Sequence, residues 1–281
     1  MNDLPTSPHA SGPIGVFDSG VGGLSVLRAL HARFPGEDFL YLADGANCPY
    51  GPRAEDEIRE LSVAITHYLI AKGAKLIVVA CNTASAAALA HLRETFSQIS
   101  FVGIVPAVKP AAQLTTSGVV GVLATPTTFN GRLYQEVVAQ FAAGTRVISR
   151  ICNGLVERIE AGDLDGPETR ALLQDCVPPL LEAGADVLVL GCTHYPFVIP
   201  AIRRIAGDDV QIIEPSDAIA RQTERVLIRE GLLRSTTTSG QTVYCTTGDP
   251  EQFEKTLRYL MGTHGVIRPL RWVGNTIVER E

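Results

Sequence analysis

The chain writes one eleven-residue stretch twice. Gly73-Ala74-Lys75-Leu76-Ile77-Val78-Val79-Ala80-Cys81-Asn82-Thr83 returns, with the same spacing, as Gly184-Ala185-Asp186-Val187-Leu188-Val189-Leu190-Gly191-Cys192-Thr193-His194. Each copy reads as a helix stop at Gly-Ala, a short apolar run of the buried parallel-strand type, and a cysteine at the strand's carboxyl end. Each is followed by a helical pattern. A second pair of segments repeats in the same order: residues 14–20, Ile-Gly-Val-Phe-Asp-Ser-Gly, are echoed by residues 120–126, Val-Gly-Val-Leu-Ala-Thr-Pro. The two pairs are offset by 106 and 111 residues (positions 14 and 120, 81 and 192). This is an internal duplication of a βα unit about a hundred residues long, well beyond solenoid periods. It predicts two similar lobes, each a mostly parallel sheet with helices on both faces, and one cysteine on each side of a shared cleft. Ligands of open α/β sheets bind at that carboxyl edge.

Strand and helix patterns alternate along the whole chain. Strands are expected at 14–17, 39–43, 76–79, 101–105, 119–124, 146–151, 187–190 and 242–246. Helices are expected at 24–34, 55–72, 85–96, 108–114, 127–141, 155–161, 168–183, 198–205, 218–230 and 251–261. Residues 1–13, with Pro, Ser and His, read as a disordered leader. The segment from Arg268 onward carries no clear pattern.

Composition narrows the class. With 281 residues, 46% hydrophobic and 19% charged, the chain is a globular protein with a sizeable core. It has no apolar run of membrane-spanning length and no signal-peptide pattern at its start, so a cytoplasmic location without membrane partners is expected. There the six cysteines are expected to be mainly reduced thiols. A net charge of −6, with Arg203-Arg204 the only adjacent basic pair, gives no footprint for nucleic acid. A small anion remains compatible, because backbone amides at helix N-termini hold carboxylates without arginine.

The two cysteine sites carry the chemistry. Cys81-Asn82-Thr83 and Cys192-Thr193-His194 each set a thiol among hydrogen-bonding side chains near a helix N-terminus, an environment expected to lower a thiol pKa. A single cysteine ending a buried strand is ordinarily a small core residue. Duplication with polar neighbours favours function for the pair. Two opposed thiols suit inversion of a carbon centre, which needs a base on one face and an acid on the other. A metal site is not expected, since no C-x-x-C or H-x-x-x-H occurs. Gly20, Gly22 and Gly23 suggest a dinucleotide turn, but Ser25 stands where the last glycine belongs. No phosphate loop or serine elbow is present, and neither copied site carries a lysine for pyridoxal phosphate.

Asp18-Ser19-Gly20-Val21-Gly22-Gly23-Leu24, Pro49-Tyr50-Gly51, Cys81-Asn82-Thr83-Ala84-Ser85 and Gly191-Cys192-Thr193-His194-Tyr195-Pro196 together resemble the glutamate racemases, a family of the aspartate/glutamate racemase superfamily. The resemblance runs from about Ile14 to Arg221. It implies a cofactor-independent, homodimeric enzyme that interconverts L- and D-glutamate and supplies D-glutamate for peptidoglycan. By motif, Cys81 would take the α-proton of D-glutamate and Cys192 that of L-glutamate, assisted by Asp18 and His194. Ser19, Tyr50, Gly51, Asn82, Thr83 and Thr193 match substrate-binding positions. Thr125 and Thr128 resemble a loop that binds the side-chain carboxylate, although a helix cap is an equal reading of them. Glu160 matches a family glutamate, but Cys152-Asn153 stands where the family has Cys-Pro, so Glu160 is expected on a solvated helix face. Cys48, Cys152, Cys176 and Cys245 carry no catalytic expectation. By analogy, residues 14–105 with 215–281 form the first lobe and 106–214 the second. Rival readings are an aspartate racemase, a related decarboxylase, or a two-lobed amino-acid-binding protein with structural thiols.

Overall fold

The computed structural model describes residues 8–141, 144–236 and 238–280. Among the described residues, eleven strands fall into two sheets. The first contains β1 (Ile14–Asp18), β2 (Phe39–Ala43), β3 (Leu76–Val79) and β4 (Ser100–Gly103). The second contains β5 (Val119–Ala124), β6 (Arg146–Arg150), β7 (Val187–Gly191) and β8 (Gln211–Ile213). The chain then returns to the first sheet with β9 (Thr242–Thr246), β10 (Val266–Val273) and β11 (Thr276–Glu279).

The first sheet runs β11-β10-β9-β2-β1-β3-β4 and the second β6-β5-β7-β8. Replacing β5 by β1, β6 by β2, β7 by β3 and β8 by β4 turns the second order into the core of the first. The duplication read from sequence is therefore a duplication of topology. Among the described strands all pairings are parallel except β10 with β11. In each sheet the chain leaves the first strand to one side and then crosses to the other. The switch points are β1/β3 and β5/β7, and a crevice opens at the carboxyl ends of those strands.

β1, β3 and β7 are buried at every residue, which accounts for their apolar runs, ended in β1 by Asp18. Gly73 (φ 82°) and Gly184 (φ 94°) take the left-handed conformation at the two helix stops, where a side chain would be strained. No described helix is long and apolar enough to cross a membrane.

Several elements differ from expectation. The helix expected at 127–141 is two, Pro126–Asn130 and Arg132–Phe141, parted by Gly131 in an extended conformation. The helix expected at 168–183 divides into Pro167–Cys176 and Pro178–Glu182, because Pro178 has no N–H to continue the ladder. β8 is too short to show a period, and the terminal hairpin β10–β11 mixes exposed and buried residues without strict alternation. Of the expected leader, residues 1–7 lie outside the described residues, while residues 9–13 are tied down. Gly12 N–H donates to His9 O (2.8 Å), Lys75 N–H to Pro13 O (2.9 Å), and Lys75 Nζ to Ala10 O (2.7 Å). Lys75 also pairs with buried Glu37. Cys152 and Cys176, expected as thiols, are joined in a disulfide, and Cys48, Cys81, Cys192 and Cys245 are free.

Candidate active site

Both switch points open onto one cavity. Ser19, Tyr50, Gly51, Cys81, Asn82 and Thr83 line it from the first sheet's side, and Thr125, Cys192, Thr193 and His194 from the second's. The two sulfurs thus belong to opposite sheets and a common space. That space is about 20 Å³, close to the volume for one water, so the cleft is narrow. A larger hollow, about 540 Å³, lies among three helices and is lined by Arg59, Arg93 and Arg132 together with Glu55, Glu94 and Glu136. It holds none of the paired chemistry.

Cys81 is the N-cap of the helix Asn82–Thr95, and its Sγ accepts from Ala84 N–H (3.4 Å). Ser19 Oγ lies 3.8 Å from the same sulfur. Asp18, at the end of β1, is wholly buried, and its Oδ2 accepts from Gly23 N–H (2.7 Å). Burial raises the Asp18 pKa, and the nearby His194 only partly opposes it. The expected lowering of the Cys81 pKa is overturned: burial pushes it up strongly and the Asp18 charge adds to this, outweighing the helix amide. At rest Cys81 is a thiol.

Cys192 sits in a turn before the short 3₁₀ segment Tyr195–Val198. Its Sγ is 3.7 Å from His194 Nδ1, and His194 Nε2 is 2.5 Å from Glu160 Oε1. Burial disfavours the imidazolium, yet its bonds with Cys192, Cys48 and Glu160, reinforced by the Glu160 charge, carry the His194 pKa well above its ordinary value. For Glu160 burial acts upward, but His194 and Val21 N–H (2.8 Å) together hold the carboxyl below its usual range. Glu160 is therefore not on a solvated face. It is the anchor of the His194 ring.

The glycine-rich loop is also explained by this side of the site. Val21 donates to Glu160, and Ser25 Oγ donates to Thr193 O (3.0 Å). A methyl group on Gly22 would collide with the His194 ring and the Thr193 hydroxyl. The glycines let the loop approach the second sheet's turn.

The remaining expected residues divide by role. Thr83, Thr125 and Thr128 form a hydroxyl chain (Oγ1 to Oγ1 distances 3.0 and 2.9 Å), and Thr125 also caps the helix Pro126–Asn130. Thr125 thus caps a helix and also lies on the cavity wall, whereas Thr128 stands behind it. Thr127 Oγ1 donates to Gly51 O (2.7 Å) and ties the two sides together. The Tyr50 hydroxyl is committed to Asp44 Oδ2 (2.6 Å), which leaves its ring and backbone facing the cavity. Buried Asp18 Oδ1 and both side-chain polar atoms of Asn82 have no partner, as in a site shaped for a polar ligand.

Sequence reasoning missed Asp44, Thr247, Trp272 and Cys48. Asp44 Oδ1 accepts from Thr247 Oγ1 (2.6 Å) and Trp272 Nε1 (2.8 Å), linking the terminal strands to Tyr50. An Asp at the end of an expected strand was the one available signal. Cys48 Sγ reaches Glu160 Oε1 (3.5 Å), and with His194 these are three groups able to hold a metal ion.

The Asp/Glu/hydantoin racemase family model matches residues 14–223. The chain is 54% identical over 255 residues to a glutamate racemase of Roseiflexus sp. (strain RS-1), covering 90% of this chain and 94% of that protein. Among solved structures, a glutamate racemase isoform of Bacillus anthracis superposes with a TM-score of 0.86 at 31% identity, over 95% of this chain and all of that one. The Escherichia coli glutamate racemase in complex with L-glutamate and an activator gives a TM-score of 0.81 at 32% identity, over 94% of this chain and 100% of its own.

Proposed function

The chain belongs to the Asp/Glu/hydantoin racemase family, and we propose that it interconverts L-glutamate and D-glutamate by two-base 1,1-proton transfer. In this reading Cys192, as thiolate, removes the α-proton of L-glutamate while the Cys81 thiol delivers its proton to the opposite face. D-Glutamate leaves, and the reverse reaction begins with Cys81 as the base. Protons balance: one passes from carbon to sulfur, one from sulfur to carbon. The lobes are residues 14–105 with 215–281, and 106–214.

The observation that supports this reading is the narrow cavity shared by Cys81 and Cys192 on equivalent strand ends of the two sheets. The α-hydrogen of an amino acid is a very weak acid, so a base of high proton affinity in a dry site is required. A buried Cys81 whose pKa is raised fits this: it holds its proton at rest and, once ionised, binds one strongly. Asp18 serves Cys81; His194, held by Glu160, serves Cys192. Asn82, the threonine hydroxyls and the amides near Ser19 and Gly51 bind the carboxylates and the amino group. The reaction needs no cofactor, and its product suits peptidoglycan synthesis in the cytoplasm by a homodimer.

Incubation of purified protein with L-glutamate in deuterated water, without added cofactor, tests the reading. D-Glutamate carrying deuterium at the α-carbon is expected. Absence of D-glutamate, or D-glutamate without α-deuterium, overturns it, and turnover of aspartate alone would reassign the substrate.

A further inference from the structure

Cys48, Glu160 and His194 come from three separate places: the loop after β2, the last residue of the helix Leu155–Glu160, and the turn after β7. Their side chains nevertheless converge. Glu160 Oε1 lies 3.5 Å from Cys48 Sγ and 2.5 Å from His194 Nε2, and the three potential ligand atoms all lie within 4.8 Å of one another. Cys48 is absent from the cavity wall, and the two-base scheme gives it no task.

We propose that Cys48, Glu160 and His194 form a binding site for a borderline-soft divalent cation, zinc above all, and that occupancy of this site inhibits the enzyme. One thiolate, one imidazole and one carboxylate are the three side-chain types that bind zinc, and water can complete a tetrahedral set. Ligand atoms around tetrahedral zinc stand about 3.4 Å apart, as follows from bonds of about 2.1 Å. The Cys48–Glu160 spacing already matches, and the Glu160–His194 contact opens by about 1 Å through rotation of the Glu160 carboxylate. Sulfur and nitrogen donors select against magnesium and calcium. On binding, the Cys48 thiol proton and the His194 Nε2 proton pass to solvent.

The inhibitory half rests on the racemase reading; the binding half does not. His194 reaches Cys192 through Nδ1 and is oriented through Nε2 by Glu160. A cation on Nε2 takes the ring from Glu160 and fixes it as a neutral ligand, so it can no longer exchange a proton with Cys192.

Cobalt(II) is the probe, because a thiolate ligand gives it a charge-transfer band in the near ultraviolet. In the absence of substrate, one equivalent of cobalt should produce the band in the wild type and in Cys192→Ala. Zinc should displace it, and Cys48→Ala and Cys48→Ser should lose it. With glutamate as substrate, zinc should inhibit the wild type at a concentration at least tenfold below that needed for Cys48→Ala, each protein's inhibition being read against its own zinc-free rate and the variant's folding checked by its circular dichroism spectrum. Magnesium should have no effect. No band in the wild type, or a band that survives in both Cys48 variants, overturns the site. Equal zinc sensitivity of the wild type and Cys48→Ala overturns the inhibition. A protein that binds cobalt as described yet racemises nothing would refute the racemase reading and leave the metal site standing.

Discussion

The two cysteine-bearing strand ends share a backbone plan and differ in how they handle protons. β3 lies beside β1 as β7 lies beside β5, and in each sheet the residue one or two places beyond the strand is the cysteine. Beyond that point the copies part. Cys81 caps a 14-residue helix with its own sulfur and has a carboxyl group, Asp18, as direct neighbour. Cys192 opens a turn, touches an imidazole, and meets its carboxylate, Glu160, only through that ring. Duplication conserved where the sulfur is placed and released what surrounds it. Position is set by buried strand pairing, which tolerates little change, whereas the helper groups stand where elements end: the last residue of β1, the last residue of a short helix, and the turn after β7.

The strongest way to break this comparison is to remove either sulfur. Cys81→Ala and Cys192→Ala should each lower racemisation by about 10³- to 10⁴-fold, the range of a lost general acid or base, in a chiral assay of product. Survival of two-way racemisation in either variant would refute paired use. The helpers come next. Asp18→Asn and His194→Asn should each reduce kcat/KM about 100-fold, the lower end of acid–base assistance. Because the enantiomers have equal free energy, that loss must be the same in both directions. The asymmetry will therefore appear in the isotope effect. His194→Asn should enlarge the effect with α-deuterated L-glutamate and shrink it with the D form, and Asp18→Asn should do the opposite.

A smaller effect concerns stability on the Cys192 side alone. Glu160, held below its ordinary 4.5, contributes stability that is present above that pH and is lost as pH falls through its lowered folded value. His194, raised above 6.5, contributes stability that is full below that pH and is lost as pH rises through its raised folded value. Glu160→Gln should thus cost about 2 kcal/mol between these limits, a partly buried pair being worth less than a fully buried one. Thermal melts across pH should show the gap between wild type and variant closing at both extremes. The smallest effect should treat the copies alike. Gly73→Ala and Gly184→Ala meet no close neighbour, so each should cost only the left-handed strain of about 1 kcal/mol, read by denaturant unfolding.

These differences mark what the sequence discloses. The strands ending at Cys81 and Cys192 were legible because a glycine stop and an unbroken apolar run are local signals. The shared cavity followed from their repetition. Glu160 was not legible: it ends a short helix beside Arg158 and Ala161, as a surface residue would, and only the approach of Val21 and His194 reveals its place. The direction of the Cys81 pKa was missed because a helix N-terminus can be read from sequence, whereas the depth of burial that outweighs it cannot. Trp272 was missed because its strand lies in a hairpin whose two sides are unevenly exposed.

The return of the chain to its first sheet bears on how the protein is made. β2 pairs with β1 on one edge and with β9 on the other. On a ribosome the first sheet is therefore begun among the earliest residues to emerge and keeps an open edge until residues 242–246 have been synthesised. The Trp272 bond that braces Asp44 arrives later still. Between synthesis of residue 213 and of residue 242 the Cys81 half of the molecule is an unfinished sheet, while the Cys192 half already has its strands β5 to β8. Nascent chains arrested near residue 240 should accordingly be cut by protease in the first hundred residues before the second sheet yields.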